Sequence, residues 1–134
     1  MVSLTTRYAF HILSFLTRTT DRLVPGGEIA AATGVPANYL SKILSQLRKH
    51  GFVESQKGWG GGFRLRPICR DRPLCDVLAA IDGNQSTNRT DCAFGLPACN
   101  PDSPCPLHPW WERMRTTFED GITKTRVSDL AGSA

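Results

Sequence analysis

No stretch of this 134-residue chain approaches the roughly 18 consecutive apolar residues that a bilayer-crossing helix needs. The opening MVSLTTRYAFHILSFLTRTT is apolar in part, but Arg7 and His11 interrupt it and no small-residue cleavage site follows. A cytoplasmic protein with no membrane partner is therefore expected. The chain also lacks a nucleophile–base constellation of the kind covalent catalysis requires. Its one glycine run is followed by neither a helix nor a Lys-Ser/Thr pair, which excludes a phosphate-cradling nucleotide loop. His50 falls at a helix end, where capping accounts for it. No enzyme is read here.

Cysteine is present, but in an awkward number. Five cannot all pair, and in a reducing compartment clustered cysteines more often bind metal or do redox chemistry than form structural disulfides. Three of the five lie in CAFGLPACNPDSPCPLHPWW, residues 92–111, where six prolines and glycines forbid a regular helix or strand. Cys69 and Cys75 are read as small core or surface residues.

An apolar fraction of 40% with 21% charged residues describes a globular chain. Its net charge of +4 is unevenly spread. Through Pro67 there are nine Lys/Arg against three Asp/Glu, a balance of +6; from Ile68 onward seven face nine, a balance of −2. The basic half is the candidate for contact with a phosphate backbone.

Periodicity organises that half. Tyr8, Ala9, Ile12, Leu13 and Leu16 share one face of a helix over about residues 4–18, with His11 pointing off it. After VPGG a short helix carries Glu28, Ile29, Ala31 and Ala32 and breaks at Thr33-Gly34. Pro36 opens a longer helix that buries Leu40, Ile43, Leu44 and Leu47 and stops at Gly51. A short helix, a glycine turn and a longer helix make a helix-turn-helix. The outer face of the second helix carries Asn38, Tyr39, Ser41, Lys42, Ser45, Gln46 and Lys49, donors and acceptors suited to phosphates and major-groove base edges. FVESQ and RLRP then read as two strands joined by the tip KGWGGGF, a hairpin wing from which Lys57, Trp59 and Gly60 are candidate DNA contacts. Helix-turn-helix, wing and basic bias together point to double-stranded DNA.

A further helix, capped by Asp71 and covering residues 73–82, packs through Val77, Leu78 and Ile81 and ends at Gly83. Beyond the cysteine loop, WWERMRTTFEDGITKTRVSDL reads as one long helix with Trp111, Met114, Phe118 and Ile122 in a stripe. So small a chain offers that stripe little to pack against, and a second copy is its natural partner. The expected fold is mainly α with a small β wing. A winged helix-turn-helix domain over residues 1–83 is followed by a cysteine-rich cofactor loop over 84–107 and a C-terminal dimerisation helix over 108–134.

The chain resembles the IscR/NsrR family (Rrf-two type) of winged-helix transcriptional regulators over nearly its full length. The resemblance rests on RYA in the first helix, IA-x3-G-V-x3-YLSKIL-x2-L-x-K-x-G-x-V through the motif, GWGGGFRL in the wing, DVLAAIDG, and C-x6-C-x5-C-x2-H. It implies a homodimer crossed by long C-terminal helices, bound to a palindromic operator and carrying an iron–sulfur cluster in the cysteine loop as its sensor. Cys92, Cys99 and Cys105 match the family's cluster thiolates, and His108 matches the histidine ligand of the cluster-assembly branch, which favours a 2Fe–2S over a 4Fe–4S centre. Nitric-oxide sensors of the family use a carboxylate early in the first helix; TTRYAFH has none, so that ligand set is in doubt. His11 stands near the first-helix histidine of a redox-sensing branch and is an alternative ligand.

Thiolates are soft ligands suited to iron–sulfur clusters, and also to zinc. Structural zinc usually shows a ligand pair two to four residues apart, and here only Cys105 and His108 are so spaced. Zinc, or redox thiols with no cofactor, remain alternatives for the loop.

Overall fold

The computed structural model describes residues 2–83, 102 and 105–132. The first helix, α1 (Leu4–Arg18), begins where the Ser3 hydroxyl accepts the Thr6 N–H at 3.1 Å. It buries Ala9, Ile12, Leu13 and Leu16 completely, as their spacing predicts, and leaves His11 exposed. α2 (Gly26–Thr33) ends at Gly34, whose φ of +72° supplies the left-handed turn into α3 (Ala37–Lys49). Leu40, Ile43, Leu44 and Leu47 of α3 all enter the core.

β1 (Val53–Gln56) and β2 (Gly62–Leu65) pair antiparallel with Val53 opposite Leu65 and Gln56 opposite Gly62. The second strand therefore starts two residues earlier than RLRP suggested, and the tip shortens to residues 57–61. The reason lies upstream. Val24 and Phe63 exchange two backbone hydrogen bonds, each 2.8 Å, so the segment before α2 adds a one-residue third strand and holds β2 in register. Gly62 makes this approach possible: a Cβ there would lie 2.4 Å from the Val24 carbonyl, at a φ of +148°.

A single 3₁₀ turn (Pro67–Cys69) leads to α4 (Leu74–Asp82), which buries Leu74, Val77, Leu78, Ala80 and Ile81. Asp71 is not its cap. Pro73 occupies that position and has no side-chain oxygen, while the Asp71 carbonyl accepts from the Arg126 guanidinium at 2.6 Å. Arg72 instead joins neighbouring elements. Its guanidinium lies 3.8 Å from the Phe52 ring centre and donates to the His50 carbonyl at 3.0 Å, where it also meets the negative end of α3.

The last helix, α5 (His108–Lys124), stops short of the predicted end. Thr125 turns extended, and residues 125–128 run beside the start of α4: Leu74 N–H donates to the Thr125 carbonyl, and Val127 N–H to that of Arg72, both at 2.9 Å. Those pairings, with complete burial of Val127, outcompete another turn of helix at a β-branched site. A 3₁₀ segment (Val127–Gly132) then lies against α1, where Ser14 Oγ donates to the Leu130 carbonyl at 2.9 Å.

The close approach at Gly62 gives a stability test. Gly62→Ala should cost about 1–3 kcal/mol by forcing strain on the wing base, whereas Gly27→Ala, whose Cβ would meet nothing within 4 Å, should be neutral or stabilising. Urea-unfolding midpoints of the two variants and the parent check the contrast.

Candidate nucleic-acid interface

Of the residues named for DNA contact, Ser41, Ser45 and Lys57 line one groove. On α3, Asn38, Ser41, Lys42, Ser45 and Lys49 are exposed, because Leu40, Ile43, Leu44 and Leu47 turn the opposite face inward. Tyr39 and Gln46 are half-buried. The Tyr39 ring packs edge-on against Tyr8 of α1, centroids 5.1 Å apart, so it fixes how α3 sits before it offers its hydroxyl to anything. The Gln46 Oε1 is buried with no hydrogen-bond partner among the described residues.

Between α3 and the wing runs a groove of about 300 Å³. Leu40, Leu44 and Phe63 form its apolar floor; Ser41, Ser45, Arg48, Ser55, Gln56 and Lys57 make its polar rim. Arg48 is the member that sequence reasoning missed. Its signal was available, since it lies three residues after Ser45 and seven after Ser41 on one helical face. Lys42, Arg48 and Lys57 form no ion pair among the described residues, whereas Arg64 is held by Glu54 and Arg22 by Glu28. The Glu28 carboxylate is held below its ordinary pKa chiefly by the hydrogen bond from Arg22. The α3–wing face therefore carries three cations, Lys42, Arg48 and Lys57, that no carboxylate among the described residues neutralises. Trp59 and Gly60 stand exposed at the wing tip beyond it.

The metal-ligand candidates are placed in part. Cys92 and Cys99 lie outside the described residues. Cys105 and His108 are half-buried at the start of α5, one turn apart, with the His108 N–H donating to the Cys105 carbonyl at 3.0 Å. Cys105 thus immediately precedes the N-terminal end of a 17-residue helix. Among the described residues no three metal-binding side chains converge. Cys69 is buried, its thiol donating to the Gly51 carbonyl at 2.7 Å, and Cys75 is half-buried, as expected of core or near-surface residues. His11 is exposed on α1.

A helix-turn-helix backed by a pinned two-stranded wing defines a winged-helix DNA-binding protein, and two solved structures share the fold over nearly the whole chain. CymR of B. subtilis, titled the global cysteine regulator, superposes with a TM-score of 0.78 at 21% identity, covering 100% of this chain and 98% of its own. IscR of T. potens gives 0.71 at 22%, covering 97% and 85%. Residues 2–133 match the family described as iron-dependent transcriptional regulator, and the chain belongs to it. An HTH-type transcriptional regulator of Aquifex aeolicus is 31% identical over 128 residues, 94% of this chain and 88% of its own length. IscR of Photobacterium profundum is 30% identical over 125 residues, 92% and 71%. The protein is a DNA-binding transcriptional regulator and not an enzyme. No helix among its described residues is long and apolar enough to cross a membrane.

Lys42→Ala and Lys57→Ala should each weaken duplex binding across sequences and lower the slope of log K against log salt by about one unit. Ser41→Ala and Gln46→Ala should instead relax base preference, by about 1–3 kcal/mol for a well-made contact. Titrations over a salt series measure the first effect, and competition between sequence variants the second. An unchanged slope in the Lys42/Lys57 double variant would show the basic face to be merely solvated.

Proposed function

We propose that this regulator is a homodimer that binds a palindromic operator and senses redox, iron–sulfur or nitric-oxide status through an iron–sulfur cluster in its cysteine loop. Residues 1–83 are the reader, 84–107 the sensor loop and 108–134 the dimerisation segment. Cys92, Cys99, Cys105 and His108 are the proposed ligands, with His11 the alternative fourth ligand and a 2Fe–2S centre favoured.

The observation that carries the reading is the junction at the start of α5. There a thiol and an imidazole share one turn with the first residues of a helix that buries none of its own side chains fully. Trp111 and Phe118 are half-exposed, Met114 is 47% exposed and Trp110 64%, while Ile122 at the far end of the stripe packs against the chain's own core. A stripe of that kind is what a two-fold interface covers. Three thiols and an imidazole fit a cluster chemically, since soft thiolates hold iron and a histidine raises the potential. When bound, the cluster supplies a centre whose charge and ligation change with redox state. The protein's own part is to order the loop through Cys105 and His108 and so bias the position of α5 against its copy.

Coupling follows from linkage. Cofactor state and operator binding must change one another's affinity by the same factor, with typical couplings corresponding to about 5- to 150-fold.

Anaerobic purification with iron, sulfide and zinc analysis tests the ligand set. Alanine at Cys92, Cys99 or Cys105 should abolish cluster uptake and His108→Ala should make it labile, while Cys69→Ala and Cys75→Ala should do neither. Stoichiometric zinc would transfer the loop to a structural metal, and absence of any metal to redox thiols. Trp111→Ala should loosen the dimer in sedimentation and narrow the holo–apo difference on DNA while sparing iron uptake. Equal affinities of holo and apo wild-type protein for one operator at fixed salt would defeat the sensor reading.

A further inference from the structure

Trp59 is fully exposed, at 106% of its reference surface, more than any other large apolar side chain among the described residues. A single exposed apolar residue is ordinarily unremarked. This one stands at a constructed point. Gly58–Gly61 form a four-residue turn closed by the Gly61 N–H donating to the Gly58 carbonyl at 3.0 Å, with Gly60 left-handed at φ +70°. That is the pattern of a type II turn with Trp59 at its first corner, the position farthest from the strands.

The turn is stiff. A Cβ on Gly61 would lie 2.3 Å from the Gln56 carbonyl oxygen, so the two arms of the tip are in contact at backbone distance. The wing base is held by the Val24–Phe63 bridge. The fold therefore carries an indole at the end of a short hairpin arm whose base is pinned.

The arm is continuous with the DNA face. Lys57, two residues before Trp59, lines the same groove as Ser41, Ser45 and Arg48 of α3. If α3 occupies a major groove, the groove cations meet the bordering phosphate ridge, and the next feature outward is the minor groove. That groove is about 6 Å wide, too narrow for a hairpin but open to one side chain. An indole has a flat apolar body and a single N–H donor. The minor-groove edges of A·T pairs present only acceptors, and pyrimidine–purine steps unstack at low cost.

Resting on the duplex-DNA reading of α3 and the wing, we propose that Trp59 is a specificity-determining wedge. Its indole enters the minor groove beside the major groove read by α3, wedges at a flexible A·T-containing step, and donates its N–H to a base-edge acceptor. Lys57 supplies attraction without sequence preference; Trp59 supplies selection at a position α3 does not touch.

The probe is a 30-base-pair duplex selected by the wild-type protein from a randomised pool, carrying 2-aminopurine at successive adenines flanking the α3 footprint. Wild-type protein should raise 2-aminopurine fluorescence at one step per half-site. Trp59→Ala should abolish that rise and weaken binding roughly 5- to 150-fold, with the salt slope unchanged because no phosphate contact is removed. Trp59→Phe should keep the fluorescence rise but lose part of the A·T preference. Equal unfolding midpoints for the three proteins would keep folding out of the comparison. Wild-type affinity and flank preference in Trp59→Ala, or salt-dependent binding by wild-type protein without any fluorescence rise, would overturn the wedge and leave the tip lying along the backbone. Failure of the wild-type protein to select any duplex from the pool would instead sink the DNA placement of the whole α3–wing face, and the wedge with it.

Discussion

The buried stripe of α1, Ala9, Ile12, Leu13 and Leu16, is the surface on which the rest of the molecule is assembled. α2, α3, α4, β2 and the C-terminal 3₁₀ segment all lie against this one helix. A fully buried Leu or Ile contributes about 1.5–3 kcal/mol relative to exposure, before any cavity cost. Folding of the DNA reader and capture of the C-terminal segment therefore draw on the same apolar area. The polar groups on α1 follow the same logic. Thr6 and the exposed Ser3 donate to the Asp82 carboxylate at the end of α4, and Ser14 donates to the Leu130 carbonyl, so the buried Thr6 and Ser14 hydroxyls each tie a distant segment to the central helix.

Structure and recognition are divided cleanly along α3. Its inward residues are apolar and spent on the core, and its outward residues make no ion pairs among the described residues. The wing repeats the division at backbone level. Gly62 and Phe63 fix the base, while Lys57, Trp59 and Gly60 at the tip touch nothing that the core needs. Substitutions of Lys57 or Trp59 can thus alter what is read without altering what is folded, whereas Gly60 holds the left-handed φ of the turn.

The helices were legible because one residue in three or four had to face inward: α1 and α3 match their predicted spans to within a residue. Contacts between remote segments were not. The Val24–Phe63 bridge is made by one residue of a turn-like VPGG segment, too short to show any period, and with the Gln56–Gly62 pairing it sets the start of β2. The end of α5 was misread because WWERMRTTFEDGITKTRVSDL keeps helical composition past Lys124; only the exposed backbone at the start of α4 selects an extended Thr125. Asp71 has the chemistry of a cap but lies two residues too early. On the DNA face, periodicity located the outward side chains yet could not say that Tyr39 leans on Tyr8 or that Arg48 joins Lys57 across a groove. Of the four ligands proposed from the cysteine spacing, Cys105 and His108 are the ones among the described residues.

The return of the chain at Thr125 has a mechanical consequence. α5 spans 17 residues, about 25 Å. Its C-terminal end is riveted to α4 and α1 through Thr125, Val127 and Leu130, and Cys105 and His108 sit at the other end. Such a rod is a lever whose fulcrum is built into the DNA reader. A tilt of about 5° at the fulcrum carries the far end roughly 2 Å over that length. Displacement is largest at the thiol end and torque is delivered at the end nearest α1.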